Sequence, residues 1–204
     1  RWAPTQRGPR AGGSGGSGAA PPGAPRGTGA PGRGPAPPWP ATPFYSIPTS
    51  ACIHNGQLHV AGALNLPGVG ACTIARFTGS DWTPVGTFPL QAHALASFNG
   101  ELYASASITD NSGDCAVYRF DDAGWVPLNG GDAPLAPIYR LAVIGGRLLA
   151  AGAEKYAGAW NGSAWRRLDL PGSSGSVVYA LESCSGADDT IAFGGSFDWM
   201  NPAI

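Results

Sequence analysis

The stretches FTGSDW (Phe77 to Trp82), FDDAGW (Phe120 to Trp125) and WNGSAW (Trp160 to Trp165) align without gaps, aromatic on aromatic. Each runs on into Trp-x-x-aliphatic, as WTPV, WVPL and WRRL. Upstream of each lies a second recurring segment: IHNGQLHVAG from Ile53, SFNGELYASA from Ser97 and VIGGRLLAAG from Val143. A fourth copy begins at YALESCSGADDTIAFGGSF, Tyr179 to Phe197. Gly56, Gly100 and Gly146 stand 44 and 46 residues apart, and Trp82, Trp125 and Trp165 stand 43 and 40 apart. A period of this length restricts the chain to architectures in which one supersecondary unit stacks on the next.

Each unit reads as four short strands. Asn55-Gly56, Asn99-Gly100 and Gly145-Gly146 sit between apolar-rich runs. Such dipeptides tolerate the positive φ that a type I′ hairpin needs at both central residues. A less regular loop leads to a third strand, such as ACTIARF or DCAVYRF, and the aromatic hairpin closes the unit with a fourth. No segment holds a helical period over ten or more residues. Four strands per repeat of this length predict a β-propeller: three four-stranded blades at about 44–88, 89–134 and 135–171, and an incomplete fourth at 172–204.

The aromatic hairpin follows from turn chemistry. A type II′ turn at Gly162-Ser163 pairs Asn161 with Ala164 and sets Trp160 opposite Trp165. Gly79-Ser80 does the same for Phe77 and Trp82. The middle copy, with Phe120 and Trp125, has DDAG and no Gly at the first turn position, which predicts a longer loop and a looser register. Opposed aromatics contribute roughly 0.2–1 kcal/mol beyond burial. Recurrence at the same place in every copy makes these six rings read as blade packing rather than a sugar platform. Asn161-Gly162-Ser163 also matches an N-glycosylation acceptor, but the turn accounts for Asn161 by itself.

Gly-Gly-x-Phe at the end of a second strand (Gly194, Gly195, Phe197), followed by I-A-x-aromatic-x-G-x-x-W (Ile74, Ala75, Phe77, Gly79, Trp82), resembles the kelch and galactose-oxidase-like β-propeller repeats. The likeness extends over about residues 44–204 and is strongest to repeats of secreted or surface-attached bacterial proteins, which implies an extracellular or cell-surface location. The diglycine survives only as Gly194-Gly195; the other copies have Ala61-Gly62, Ser105-Ala106 and Ala151-Gly152. The resemblance implies a fold more than an activity, because propellers host enzymes, lectins and scaffolds alike.

The first 43 residues differ from the rest. They hold five Arg and no Lys, Asp or Glu, with eleven Gly and eleven Pro, so the net charge of −1 is +5 for this tail and −6 for the remainder. A stretch so poor in apolar side chains does not offset its ordering entropy, which predicts a disordered Gly/Pro/Arg-rich tail. Its Arg-Gly pairs lack interleaved Phe or Tyr and precede an acidic body, against nucleic-acid binding. Its GGSGG matches the serine-hydrolase G-x-S-x-G pattern without the strand and helix that motif requires. Arg1 and the absence of a leader pattern make the chain read as a fragment of a larger protein. No apolar run is long enough for a membrane-spanning helix. Cys52, Cys72, Cys115 and Cys184 show no metal-ligand spacing and fit buried thiols and disulfides equally.

Variable loops on a rigid frame are where binding concentrates, which nominates Asp110, Asn111, Asp132, Lys155 and Tyr156 as ligand-facing. Asp110-Asn111-Ser112-Gly113-Asp114 spaces oxygens as a calcium loop does, making Asp110 and Asp114 weak metal candidates, but it lacks the bidentate Glu and reads as a polar turn. His54 and His59 flank the Asn55-Gly56 turn and read as exposed hairpin residues, while His93 starts an inner strand and looks toward the channel. The two Tyr, two His and Cys of a copper oxidase are not assembled by these units, and no phosphate-binding loop is present. No catalytic residue and no cofactor are expected. The expectation is a non-catalytic module that binds protein or glycan, or serves surface display, and self-associates through open blade edges. An enzyme whose catalytic residues lie in further blades, and a structural spacer, are the alternatives.

Overall fold

The computed structural model describes residues 46–106, 116–170, 173, 175–184 and 190–197. Among them there is no helix; strands and turns account for all regular structure. The disordered tail expected over residues 1–43 lies outside the described residues.

Four antiparallel sheets follow one another along the chain. The first contains β1 (Ile47–His54), β2 (Gln57–Leu66), β3 (Gly70–Phe77) and β4 (Trp82–Pro84). The second contains β5 (Ala92–Phe98), β6 (Glu101–Ala106), β7 (Val117–Phe120) and β8 (Trp125–Pro127). The third contains β9 (Ile138–Ile144), β10 (Arg147–Gly152), β11 (Ala157–Trp160) and β12 (Trp165–Arg167), and the fourth pairs β13 (Val177–Ser183) with β14 (Ile191–Ser196). Within each sheet, spatial order equals chain order.

The hairpins form where the turn residues dictate. Asn55 and Gly56 have φ of 49° and 73°, Asn99 and Gly100 of 50° and 79°, Gly145 and Gly146 of 57° and 69°. These are the left-handed conformations of a type I′ turn. In the outer hairpins Phe77 pairs with Trp82, Phe120 with Trp125 and Trp160 with Trp165, with centroids 5.1, 5.1 and 5.4 Å apart. The longer DDAG loop expected from the sequence does not occur. Asp122 itself takes φ 68°, and the Asp121 N–H donates to Gly124 O as Asn161 N–H does to Ala164 O. The Asp121 carboxylate then accepts from the N–H groups of Ala123 and Gly124, a side-chain cap that Asn161 reproduces on Ser163 and Ala164. Asp is among the few non-glycine residues that enter the left-handed region at modest cost, so the cap holds the turn length fixed.

A second device recurs in every first strand. The ladder slips between Pro48 and Ser50, Ala92 and Ala94, Ile138 and Arg140, and Val178 and Ala180. One bulged residue, Thr49, His93, Tyr139 or Tyr179, is therefore left without a cross-strand partner at the same place in each unit. The partner strand must come close there. A Cβ added at Gly152 would collide with Pro137 O, and one at Gly195 with Val177 O, which explains the small residues at the motif's diglycine position.

Cross-strand partners share a sheet face, so register tells which side chains meet the next sheet. Leu95, Leu102, Tyr118 and Trp125 of the second sheet pack with Cys52, Ala61 and Ile74 of the first. Leu141, Leu148, Trp160 and Trp165 of the third pack with Ala94, Tyr103 and Val117 of the second. Leu181, Ile191 and Phe193 of the fourth pack with Leu149, Ala151 and Ala157 of the third. Trp125 Nε1 donates to Val85 O at 2.9 Å and Trp165 Nε1 to Leu128 O at 3.0 Å, so each tryptophan is tied to the chain that leaves the preceding fourth strand. Trp165 is 2% exposed. Trp165→Ala is expected to cost about 3–5 kcal/mol. Trp165→Phe, which keeps the ring and strands the Leu128 carbonyl, should cost about 1–3 kcal/mol. Urea unfolding followed by circular dichroism measures both.

Candidate functional site

The strands β1, β5, β9 and β13 pack against one another in chain order, and each is the edge of its own sheet. An edge strand leaves backbone N–H and C=O groups without ladder partners. These four edges border an open groove of about 280 Å³. Its lining includes Ala51, Ser97, Arg140, Val143, Glu182 and Ser183. Arg140 and Glu182 are exposed and bring opposite charges to the groove without pairing with each other. A guanidinium without a carboxylate partner recognises carboxylates or other planar anions, and a carboxylate accepts hydroxyl or ammonium protons.

The bulges set side chains along the same four strands. The His93 ring meets Tyr139 edge-on, with centroids 5.1 Å apart at 70°, and Tyr139 meets Tyr179 at 5.6 Å and 36°. Thr49 Oγ1 donates to His93 O at 2.7 Å, bridging β1 and β5. His93 Nδ1 is enclosed with no hydrogen-bond partner.

A histidine pair locks the first two sheets together. His59 is 3% exposed, correcting the expectation of an exposed hairpin residue, and His54 is half-buried. Their rings meet edge to face with centroids 5.4 Å apart. Asn55 Nδ2 donates to His54 Nε2 at 3.1 Å, so Nδ1 carries the proton and donates to Ser97 Oγ at 3.0 Å. A general base for Ser97 would need that nitrogen free to accept; the contact is a clamp from β1 to β5. Burial holds both imidazoles below the usual histidine range. The Asp122 carboxylate opposes this at His54; at His59 the Gln57 carbonyl opposes it, while His54 and Arg76 reinforce it.

The described residues nominated from the sequence, Asp132, Lys155, Tyr156 and Asn161, lie elsewhere. Asp110, Asn111 and Asp114 fall outside the described residues. Tyr156 is not a loop contact: it is 4% exposed, part of the core between the second and third sheets, and its hydroxyl donates to Asp132 O at 2.8 Å. Asp132 is exposed, but its carboxylate accepts from Arg167 N–H at 3.1 Å, joining the β8–β9 connection to β12. Lys155 is half-buried with φ 45°, and its N–H donates to Ser176 O at 2.6 Å. Asn161 Oδ1 is occupied by the turn it caps. None of the four described residues lines the groove. Arg140 and Glu182 were missed; the available signal was a charge inside each otherwise apolar first strand, IYRLAVI and VVYALES.

Cys52, Cys72 and Cys184 are free thiols. Burial pushes the Cys52 thiol up to about 11 and raises that of Cys72, keeping both protonated and unreactive near neutral pH. Among the described residues no cluster of three or more His, Cys, Asp or Glu is arranged to hold a metal ion, and no helix is long and apolar enough to cross a membrane. No protein-family model matches the chain, and a search of curated proteins finds no match.

The lowered histidine pKa values set a pH dependence. The unfolded chain takes up protons near 6.5 while the folded one resists them, so their stabilising effect is complete above about 6.5 and is lost as pH falls below it. Tyr103 and Phe98 occupy the positions of His59 and His54 in the second sheet. The double variant His54→Phe, His59→Tyr is expected to flatten the decline of Tm between pH 7 and pH 5, measured by thermal circular dichroism.

Proposed function

We propose that residues 44–204 are an arc of a β-propeller, three four-stranded blades and part of a fourth, of the kind found in kelch-like secreted or surface-attached proteins. In this reading the arc is a non-catalytic module that binds a protein or a glycan, or displays one at a surface. The observation that carries the reading is repetition of geometry. Four successive sheets share one register, one bulge position and one stacking order, first strand against first strand. Rigid, tied sheets of this sort make a frame, and the groove along their inner edges carries the unneutralised charges of Arg140 and Glu182. The site for a ligand is this groove. The tight outer hairpins are spent on their own turns.

The test is retention in affinity electrophoresis against soluble glycans (laminarin, chitohexaose and hyaluronate) together with a peptide array. Saturable binding to at least one probe is expected, weakened tenfold or more by Arg140→Ala or Glu182→Ala, since a charge-assisted hydrogen bond is worth about 1.5–3 kcal/mol. Ser80→Ala and Ser163→Ala, at the hairpin tips, should leave it unchanged. Binding that ignores both groove substitutions, or none to any probe, removes the support for this site.

A further inference from the structure

The junctions between successive sheets carry different chemistry at equivalent places. His54 and His59 of the first sheet occupy the positions of Phe98 and Tyr103 in the second and of Ile144 and Leu149 in the third. Tyr103 and Leu149 belong to the cores of the second and third junctions, and Phe98 and Ile144 pack against those cores. None of these four side chains takes up a proton between pH 7 and pH 5, whereas an imidazole does. At this place, only the first junction is built with imidazoles.

His59 is the ring that the closed junction cannot hydrate. It is 3% exposed, and its register partners are Cys52 on β1 and Arg76 on β3. Its Nδ1 lies 3.1 Å from Gln57 O, a carbonyl that only accepts, so Nδ1 carries the proton. A second proton would sit on Nε2, which makes no hydrogen bond among the described residues. The positive charge would then face Arg76 and His54, both of which oppose it. The second sheet brings the Ser97 hydroxyl, the neutral phenol of Tyr118 and the Asp122 carboxylate to this junction. Asp122 favours the charged form of His54. Among the described residues no carboxylate does so for His59, and the Cys52 thiol stays protonated.

We infer that the first junction is an acid-sensitive joint: protonation of His59 parts the first sheet from the second while the later junctions stay closed. In the open form the imidazolium is hydrated; in the closed form burial holds both rings below the usual histidine range. The joint is therefore fully stabilised above about pH 6.5 and loosens as pH falls below it. One proton taken up on opening multiplies the open population by roughly ten per pH unit in that range. Opening uncovers Ala61, Leu95 and Leu102, each buried when the joint is closed. Acid thus exposes an apolar surface by a local step that precedes global unfolding.

Two indoles report on the two junctions separately. Trp125 Nε1–H donates to Val85 O across the first, and Trp165 Nε1–H donates to Leu128 O across the second. Their hydrogen exchange in the full 204-residue chain, followed by NMR and corrected for the exchange of free indole, tests the joint between pH 7 and pH 5. Protection at Trp125 is expected to fall tenfold or more, with that at Trp165 unchanged. His59→Tyr, which installs the side chain found in the second sheet, should keep both indoles protected over the whole range. His93, the third histidine, stands at a bulge against Tyr139 and away from this junction; His93→Gln should respond as the wild type does. Circular dichroism checks that each variant keeps its strands. If His59→Tyr does not fold, titration of the wild-type His59 ring proton decides, and it must fall below about 6.5. Equal loss of protection at both indoles overturns the inference, because the whole stack then fails together. No loss at Trp125, a loss that survives His59→Tyr, a response abolished by His93→Gln, or a His59 ring titrating at about 6.5 or higher each overturns it too.

Discussion

A large ring or aliphatic side chain set against a small one is the contact on which this chain depends. Ala61, Ser105 and Ala151 are buried completely at the centre of one sheet face; Leu95 and Leu181 of the following sheets pack in the clusters that hold Ala61 and Ala151, and Ser105 Oγ donates to Ile138 O of the third sheet. A bulky residue at any of the three small positions would hold the sheets apart and open the core, since interiors are packed to near-crystalline density. The sheets are thin, with only three or four residues in most outer strands. The larger buried clusters lie between sheets rather than within one, so stability is chiefly a property of the stack.

Two polar devices convert that stacking into a fixed geometry. Hydrophobic contact is non-directional, whereas the indole N–H bonds of Trp125 and Trp165 to the chain leaving the preceding sheet are not. At the inner side, Ser50 Oγ accepts from Leu95 N–H, and Ser105 Oγ accepts from Ala94 N–H and donates to Ile138 O. These bonds tie consecutive first strands, and the bulges turn one residue of each strand out of the ladder. The groove carrying Arg140 and Glu182 is a by-product of this arrangement: wherever edge strands of successive sheets pack side by side, backbone polar groups and any charged side chain on those strands gather in one place.

Much of the local structure could be read directly. The Asn-Gly and Gly-Gly turns, the aromatic hairpins and the four-strand order each follow from short-range rules, because positive φ and period-two alternation leave marks within a few residues. Two of the misreadings share one cause. Tyr156 and His59 look like loop or hairpin residues in the sequence, yet both are buried, because a neighbouring sheet lies over them. DDAG looked like a broken turn because the Asp121 cap and the left-handed Asp122 replace glycine by a different mechanism.

The sequence by itself determined the repeat, the strands, their turns and the pairing of rings across each outer hairpin, since all of these are settled by residues close in the chain. Only the tertiary structure decided which face of each sheet is covered, where the bulged residues stand and which charges share a groove. Those outcomes depend on contacts between residues about one repeat apart, such as Thr49 with His93 and Tyr139 with Tyr179. A local pattern specifies that a face is apolar; what lies against that face is specified by another part of the chain.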